Sequence, residues 1–259
     1  MQIGLKLWSV NRGPCAREAA RLYEAGVYDY LELYAVPGSA DSLPEWKSLH
    51  IPCVIHAPHF KHGFNLAVAE CESANRRLYD ETRRFADELN ASHIIFHGGT
   101  FGCIAETGRQ LKSLHEPRAL IENKPCITSN EGRILECRGA RVEEIRMVLR
   151  EAGCGFCLDI PHALCAANYM RLEQVEMLRE MNGLNPAMYH LADMKNAALH
   201  IDDHTPLGQG VLDMGMLVAE ALCPGSMVTI ETKRTRPESL EEFEQEVKLL
   251  RAFAGNSAG

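Results

Sequence analysis

Little in this sequence points to nucleic acid, membrane or disulfide chemistry. Its 259 residues carry 27 Lys and Arg against 35 Asp and Glu, a formal net charge of −8. A global positive field is therefore lacking, and any grip on nucleic acid needs a local basic groove of its own. No apolar run approaches the roughly 20 residues that cross a bilayer, which excludes a helical membrane span. Ten cysteines are present, but they are scattered, with no framework of short loops. The N-terminal MQIGLKLWSV has neither a basic start nor a long apolar stretch. These features predict a cytoplasmic protein with reduced thiols. Cys154 and Cys157 form one C-x-x-C pair within the apolar stretch GFCLDI; no second pair stands at zinc-finger spacing, so a structural role is expected. No G-x-G-x-x-G follows the first β-rich run, and no repeat of about 20 to 50 residues is visible.

What is there is alternation. With 46% hydrophobic residues the chain can bury a large core. Short β-rich runs occur at IGLKLW (3–8), YLELYA (30–35), CVIHA (53–57), HIIFHG (93–98), ALIEN (119–123), FCLDI (156–160), MYHLAD (188–193) and MVTIET (227–232). Between most of them lie amphipathic patterns of helical spacing: Glu70 to Asn90, Arg141 to Ala152, Leu172 to Met181 and Met214 to Ala221, with a last one from Leu240 to Phe253. Each parallel strand needs a crossover before the next. Eight alternations without a Pro- or Gly-rich linker therefore predict an α/β chain of one domain, residues 1–259, closed as a (β/α)8 TIM barrel. An open doubly wound sheet is the alternative, weakened by the missing glycine fingerprint.

In such a barrel the active site gathers at the C-terminal ends of the strands. His56 ends the third run, His97 the fourth, Glu122 the fifth, Asp159 the sixth with His162 a short turn later, His190 the seventh and Glu231 the eighth. The long connection after the seventh adds Asp202 and His204, just before Pro206-Leu207-Gly208-Gln209-Gly210. A single strand-end histidine is more often a hydrogen-bonded structural residue. Converging carboxylates at one rim are different, because without a cation they would repel one another in a partly desolvated space. Divalent ions remove that cost, and a mixed imidazole and carboxylate set suits Zn2+, with Mn2+ or Fe2+ as other occupants.

The motifs IHAP (55–58), IIFHGG (94–99), IEN (121–123), CLDIPHAL (157–164), YHLADMKN (189–196), DDHTPLGQG (202–210) and IET (230–232) resemble those of the endonuclease IV family, within the wider xylose-isomerase-like barrels. The resemblance runs from the third strand to the eighth. It implies three zinc ions held by nine side chains. His56, His97 and Glu122 would hold the first ion; Glu122 would bridge to a second, held also by Asp159, His190 and Glu231; His162, Asp202 and His204 would complete the third. The sugar isomerases and epimerases of the superfamily generally use one metal on counterparts of Glu122, Asp159, His190 and Glu231, which leaves His56, His97, Asp202 and His204 without a ligand role.

The resemblance thus implies phosphoester hydrolysis on abasic DNA, with Glu122 and Glu231 as the carboxylates nearest the chemistry. Where that family grips DNA the sequence departs from it: APHFKHGFNLA after His56 is longer and lacks the family's tyrosine. A smaller phosphorylated sugar is the competing substrate. Phe60 and Phe64 with Lys61 could form a stacking, basic finger, or a lid over a small-molecule pocket. A one-metal sugar isomerase or epimerase, with Glu122 and Glu231 shuttling a proton, stays open, as does a barrel that only binds a metal or a partner. Glu32 could support a ligand or simply line the mouth. Asp193, Lys195 and Asn196 could touch substrate or hold the loop that carries Asp202 and His204. His59, His62 and His115 read as surface or loop residues, and Lys233 and Arg234 either as a phosphate contact or as solvated charges.

Overall fold

A computed structural model describes residues 1–222, 225–236 and 239–256. Eight parallel strands close the barrel: β1 Gln2–Trp8, β2 Tyr30–Tyr34, β3 Cys53–His56, β4 Ile94–His97, β5 Ala119–Glu122, β8 Gly155–Asp159, β9 Met188–Leu191 and β10 Met227–Ile230. The pair β6 Ile127–Asn130 and β7 Arg133–Glu136 forms a separate antiparallel hairpin after β5. Around them lie α1 Pro14–Glu24, α2 Leu43–Ser48, α3 Glu72–Glu88, α4 Ile104–Leu114, α5 Val142–Ala152, α6 Ile160–Met170, α7 Gln174–Asn182, α8 Met214–Ala221 and α9 Glu241–Asn256. All eight expected strands are present, and β1 closes the ring against β10 with Gln2 beside Met227.

The strand pleat explains why one row of residues carries the chemistry. Side chains alternate between the two faces of a strand. The outward set, including Leu5, Leu33, Ile55, Phe96, Ile121, Leu158 and Ile230, is buried against the helices in the main core. Burying each such side chain stabilises by roughly 1.5–3 kcal/mol, so a slip of one residue that exposed this set is strongly disfavoured. The inward set begins with a small apolar layer of Tyr30, Val54, Ile95, Leu120, Cys157 and Met188. Two positions further along the same strands stand Glu32, His56, His97, Glu122, Asp159 and His190. Gly4 belongs to this floor: a Cβ there would lie 2.4 Å from the Tyr30 ring, whose hydroxyl meets Thr229 at 2.9 Å.

The same pleat separates the C-x-x-C pair, since Cys157 lies in the inner layer and Cys154 against the outer core. Burial pushes their thiols up, Cys157 to about 12 and Cys154 to about 11, so both are protonated and unreactive near neutrality. Among the described residues no helix is long and apolar enough to cross a membrane.

Candidate metal centre at the barrel mouth

Glu122 is the hub. Its carboxylate lies 3.2 Å from Nε2 of His56, 3.2 Å from Nε2 of His97, 3.2 Å from Nδ1 of His162 and 3.4 Å from Nδ1 of His190. His190 Nδ1 also stands 2.9 Å from Glu231 and 3.7 Å from Asp159. All nine residues expected at the rim are thereby brought to one mouth. Among the described residues, five groups have their donor atoms within 4.8 Å of one another: His56, His97 and Glu122; Glu122, Cys157 and His190; Glu122, Asp159 and His162; Glu32, His190 and Glu231; and His162, Asp202 and His204.

Each imidazole but one is oriented by a bond to its far nitrogen. A carbonyl can only accept, so His56 donates Nδ1–H to Ala57 O at 2.7 Å, His162 donates Nδ1–H to Asn123 O at 3.0 Å, and His204 donates Nδ1–H to Glu231 O at 3.1 Å. Nε2 is thereby the nitrogen each ring would offer a metal; without one, His56 Nε2 faces Glu122 and His162 Nε2 faces the Lys124 ammonium. His190 is turned the other way: Nε2 meets Glu32 at 2.9 Å, and Nδ1 faces the cluster. Glu32 is fully buried, its carboxylate set between His190 Nε2 and the Lys6 ammonium. Among the described residues, Nδ1 of His97, on the far side of its ring from Glu122, and Nδ1 of His190 are buried with no hydrogen-bond partner of good geometry. An unsatisfied His190 Nδ1 among the carboxylates of Glu122, Asp159 and Glu231 is what a divalent cation would satisfy, so this donor set fits such an ion.

Local structure delivers the other candidate ligands. β8 runs directly into α6, and Asp159 is the cap: its Oδ1 accepts His162 N–H at 2.7 Å while Oδ2 lies 3.2 Å from the His162 ring. The D-x-x-H spacing is thus one helical turn. Asn123, not singled out in the sequence, clamps this corner, accepting from Asp159 N at 2.8 Å and donating to Asp159 O at 2.9 Å. Asp202 and His204 are held by Asp193, whose carboxylate accepts N–H groups from Met194, Gly208, Gly210 and Leu212 at 2.8–3.1 Å. The backbones of Asp193 and Thr205 pair as well. Asp193 is therefore the loop's anchor, and Gly210 lets the wrap close, since a Cβ there would stand 2.2 Å from Asp193 Oδ1. Lys195 and Asn196 are exposed beside it.

Electrostatics keep most of this set ready for a cation. Burial pushes Glu122 up, but His97, Lys124 and His190 more than reverse it and hold its carboxyl well below the usual range. Burial likewise raises Glu231, and Lys6 and His190 more than reverse that. His97 is driven down to about 3 by burial, only partly opposed by Glu122, and is neutral. Burial would lower His204 too, but Asp202 raises it to about 9.

Three further residues share the mouth. Lys6 on β1 contacts Glu231 at 2.7 Å and Glu32 at 3.0 Å, at an inward position of the same parity as the ligands. Lys124 contacts Glu122 at 3.4 Å and His162 Nε2 at 3.2 Å. His59 stacks on His97 with ring centroids 5.5 Å apart, brought back by the turn at Phe60–His62. These three line a cavity of about 130 Å3 together with Trp8, Tyr34, Phe60 and Lys61. Three expectations need correcting. His59 and His62 lie on the expected loop, but His59 faces the cavity and His62 bonds the Tyr34 hydroxyl at 2.7 Å; only His115 is plain surface. Phe64 is 2% exposed and packs on Phe96, so the stacking finger loses one aromatic to the core. Arg234 lies over the Phe243 ring and donates to Lys6 O, away from the cavity, while Lys233 is exposed.

A closed parallel barrel with a His/Asp/Glu mouth defines the class, and residues 20–253 match the family model described as xylose isomerase-like TIM barrel. The chain belongs to that family. It is 23% identical over 205 residues to "Probable endonuclease 4" of Mycobacterium bovis, covering 77% of this chain and 80% of that protein. Among solved structures it is similar to endonuclease IV from Thermus thermophilus, with TM-score 0.73 and 21% identity over 99% of this chain and 100% of that one. A D-tagatose 3-epimerase-like protein gives TM-score 0.73 at 15% identity, covering 100% of this chain and 98% of that one. At these identities the structural likenesses establish the fold.

Proposed function

We propose that the chain, one barrel domain, is a metal-dependent phosphoester hydrolase whose mouth holds about two to three divalent ions, zinc foremost. The observation that carries this reading is Glu122, which stands within 3.4 Å of four imidazoles and so can bridge two ions. His56, His97, Asp202 and His204 add donors that a single ion does not use. Bound there, divalent ions supply a water of lowered pKa and polarise a phosphoryl oxygen. Glu122 and Glu231 fix the charge around the reacting phosphate, and His59, Phe60 and Tyr34 close the mouth over it. A small phosphorylated sugar suits this cavity; abasic DNA is the competing substrate, supported by the endonuclease 4 relatives.

A second reading has its own support. His190 Nδ1 is ringed by Glu231, Glu122 and Asp159, the set a single-metal sugar isomerase or epimerase uses, with Glu122 and Glu231 moving the proton. Elemental analysis joined to an assay panel separates the readings: sugar phosphates, free ketoses and an abasic duplex, each with and without added zinc. Hydrolysis of the phosphates with two or more ions per chain is expected. Interconversion of free sugars with one ion would promote the isomerase. Efficient nicking of the duplex at physiological salt would restore DNA as substrate, against the weak binding expected of a chain with few cations for the phosphate backbone.

A further inference from the structure

We propose that Lys124 is the residue that grips the substrate phosphate once the mouth is loaded, making the site selective for compact phosphomonoesters. This rests on the phosphoesterase reading above. The Lys124 side chain is 11% exposed, and its ammonium contacts Glu122 Oε1 at 3.4 Å and His162 Nε2 at 3.2 Å. These are the atoms that would ligate divalent ions. The imidazole nitrogen has one lone pair and cannot serve an ammonium and a metal at once, so loading the mouth takes His162 from Lys124 and commits most of the Glu122 charge to the ions.

The backbone that carries Lys124 is fixed. Its own N–H is bonded to Gly139 O at 3.0 Å at the neck of the β6–β7 hairpin, and Pro125 follows it. From that anchor the ammonium faces the cavity that Lys6 and Lys61 also line. A buried ammonium that has lost one partner and shares the other with divalent ions is poorly compensated, so an incoming anion is favoured there.

The charge balance of the mouth points the same way. With the imidazoles neutral, as ligation requires, Lys6, Lys61 and Lys124 stand against Glu32, Glu122, Asp159, Asp202 and Glu231. Two divalent ions reverse that net negative sign, and a small, net positive, half-enclosed space selects an anion. A phosphate can touch ions through some oxygens and Lys124 through another, a charge-assisted contact that a neutral sugar cannot make. At about 130 Å3 the cavity takes a phosphate with a small organic group rather than a run of nucleic-acid backbone.

The test is calorimetry with inorganic phosphate on zinc-loaded wild type, Lys124→Met and Lys124→Arg, with zinc counted in each. We expect Lys124→Met to keep its ions and lose about tenfold or more in phosphate affinity, and Lys124→Arg to retain most of it. In the metal-free protein, Lys124→Met should take up zinc more tightly, because a competitor for Glu122 and His162 is gone. A merely structural lysine would weaken both. If Lys124→Met does not fold, reductive methylation of the wild type reads the same contact: phosphate should protect Lys124 in the zinc-loaded protein. Unchanged phosphate affinity in loaded Lys124→Met, or no protection, overturns the proposal. A wild type that takes up no divalent ion sinks the phosphoesterase reading instead, and this inference with it.

Discussion

Nζ of Lys6, on the first barrel strand, lies 2.7 Å from Oε2 of Glu231, just beyond the last, so a buried ion pair crosses the seam where the barrel closes. Burial alone would strip the ammonium of its proton, but Glu231, Glu32 and Glu122 more than reverse this and keep it charged. Lys6→Met removes the ammonium shared by buried Glu32 and partly exposed Glu231, leaving His190 as their common partner, and should destabilise the metal-free protein by about 1–3 kcal/mol. Zinc should restore more stability to the variant than it adds to wild type, since an ion can replace the ammonium beside Glu231. Melting curves with and without zinc measure this; an equal loss in both conditions would falsify it.

Glu122 and His204 differ in how many triads they join, and their variants should differ accordingly. Glu122→Gln removes the charge that faces four imidazoles, so it should lower occupancy at two positions and abolish activity. His204→Ala should empty one position and leave the remaining ions bound. Elemental analysis of the two purified variants decides; equal losses would mean that the ligands are wrongly grouped.

Asp193 touches no ligand side chain directly, yet it should control one ion. Its carboxylate accepts four backbone N–H groups from the loop that delivers Asp202 and His204. Asp193→Ala leaves those groups without an acceptor and should cost at least about 3 kcal/mol. Metal content should fall by one ion, while zinc affinity at the His56, His97 and Glu122 group stays near wild type. Loss of every ion would show that the loop supports the whole mouth.

His204 sets a pH dependence. Its pKa is raised to about 9 because Asp202, 2.9 Å away, outweighs the effect of burial. In the metal-free protein, the stability from this pair is fully present below the ordinary histidine pKa of about 6.5 and is lost as pH rises toward 9. Metal binding runs the other way: the ring must shed its proton to ligate, so affinity at this position should rise from pH 7 toward about 9 with release of one proton. Calorimetry in buffers of different ionisation enthalpy counts that proton, and pH-independent uptake would contradict the assignment.

The strands and the polar residues that end them were legible because a barrel strand carries its signal in a period of two, with an outward hydrophobic residue directly before each inward polar one. His56, His97, Glu122 and His190 are read straight off that pattern. Lys6 obeys the same parity and could have been found by extending it to β1. The β6–β7 hairpin also left a trace: two β-forming runs flank Glu131-Gly132, both at positive φ, as a tight hairpin turn requires. Lys124 was less accessible, because its place in the mouth depends on that hairpin holding its backbone. His59 has the wrong register for a strand end, and only the short turn after it returns the ring to the mouth. Arg234 lost its phosphate to a tertiary partner, Phe243, that no local pattern announces.

The apolar floor beneath the ligands also governs traffic. Tyr30, Val54, Ile95, Leu120, Cys157 and Met188 are all buried and fill the barrel axis, so ions, substrate and product share one doorway. Whatever occupies that doorway also guards what lies behind it. A bound product should slow the escape of zinc to a chelator in proportion to its own residence time, so the rate at which the protein surrenders its ions becomes a clock for how long it keeps its product.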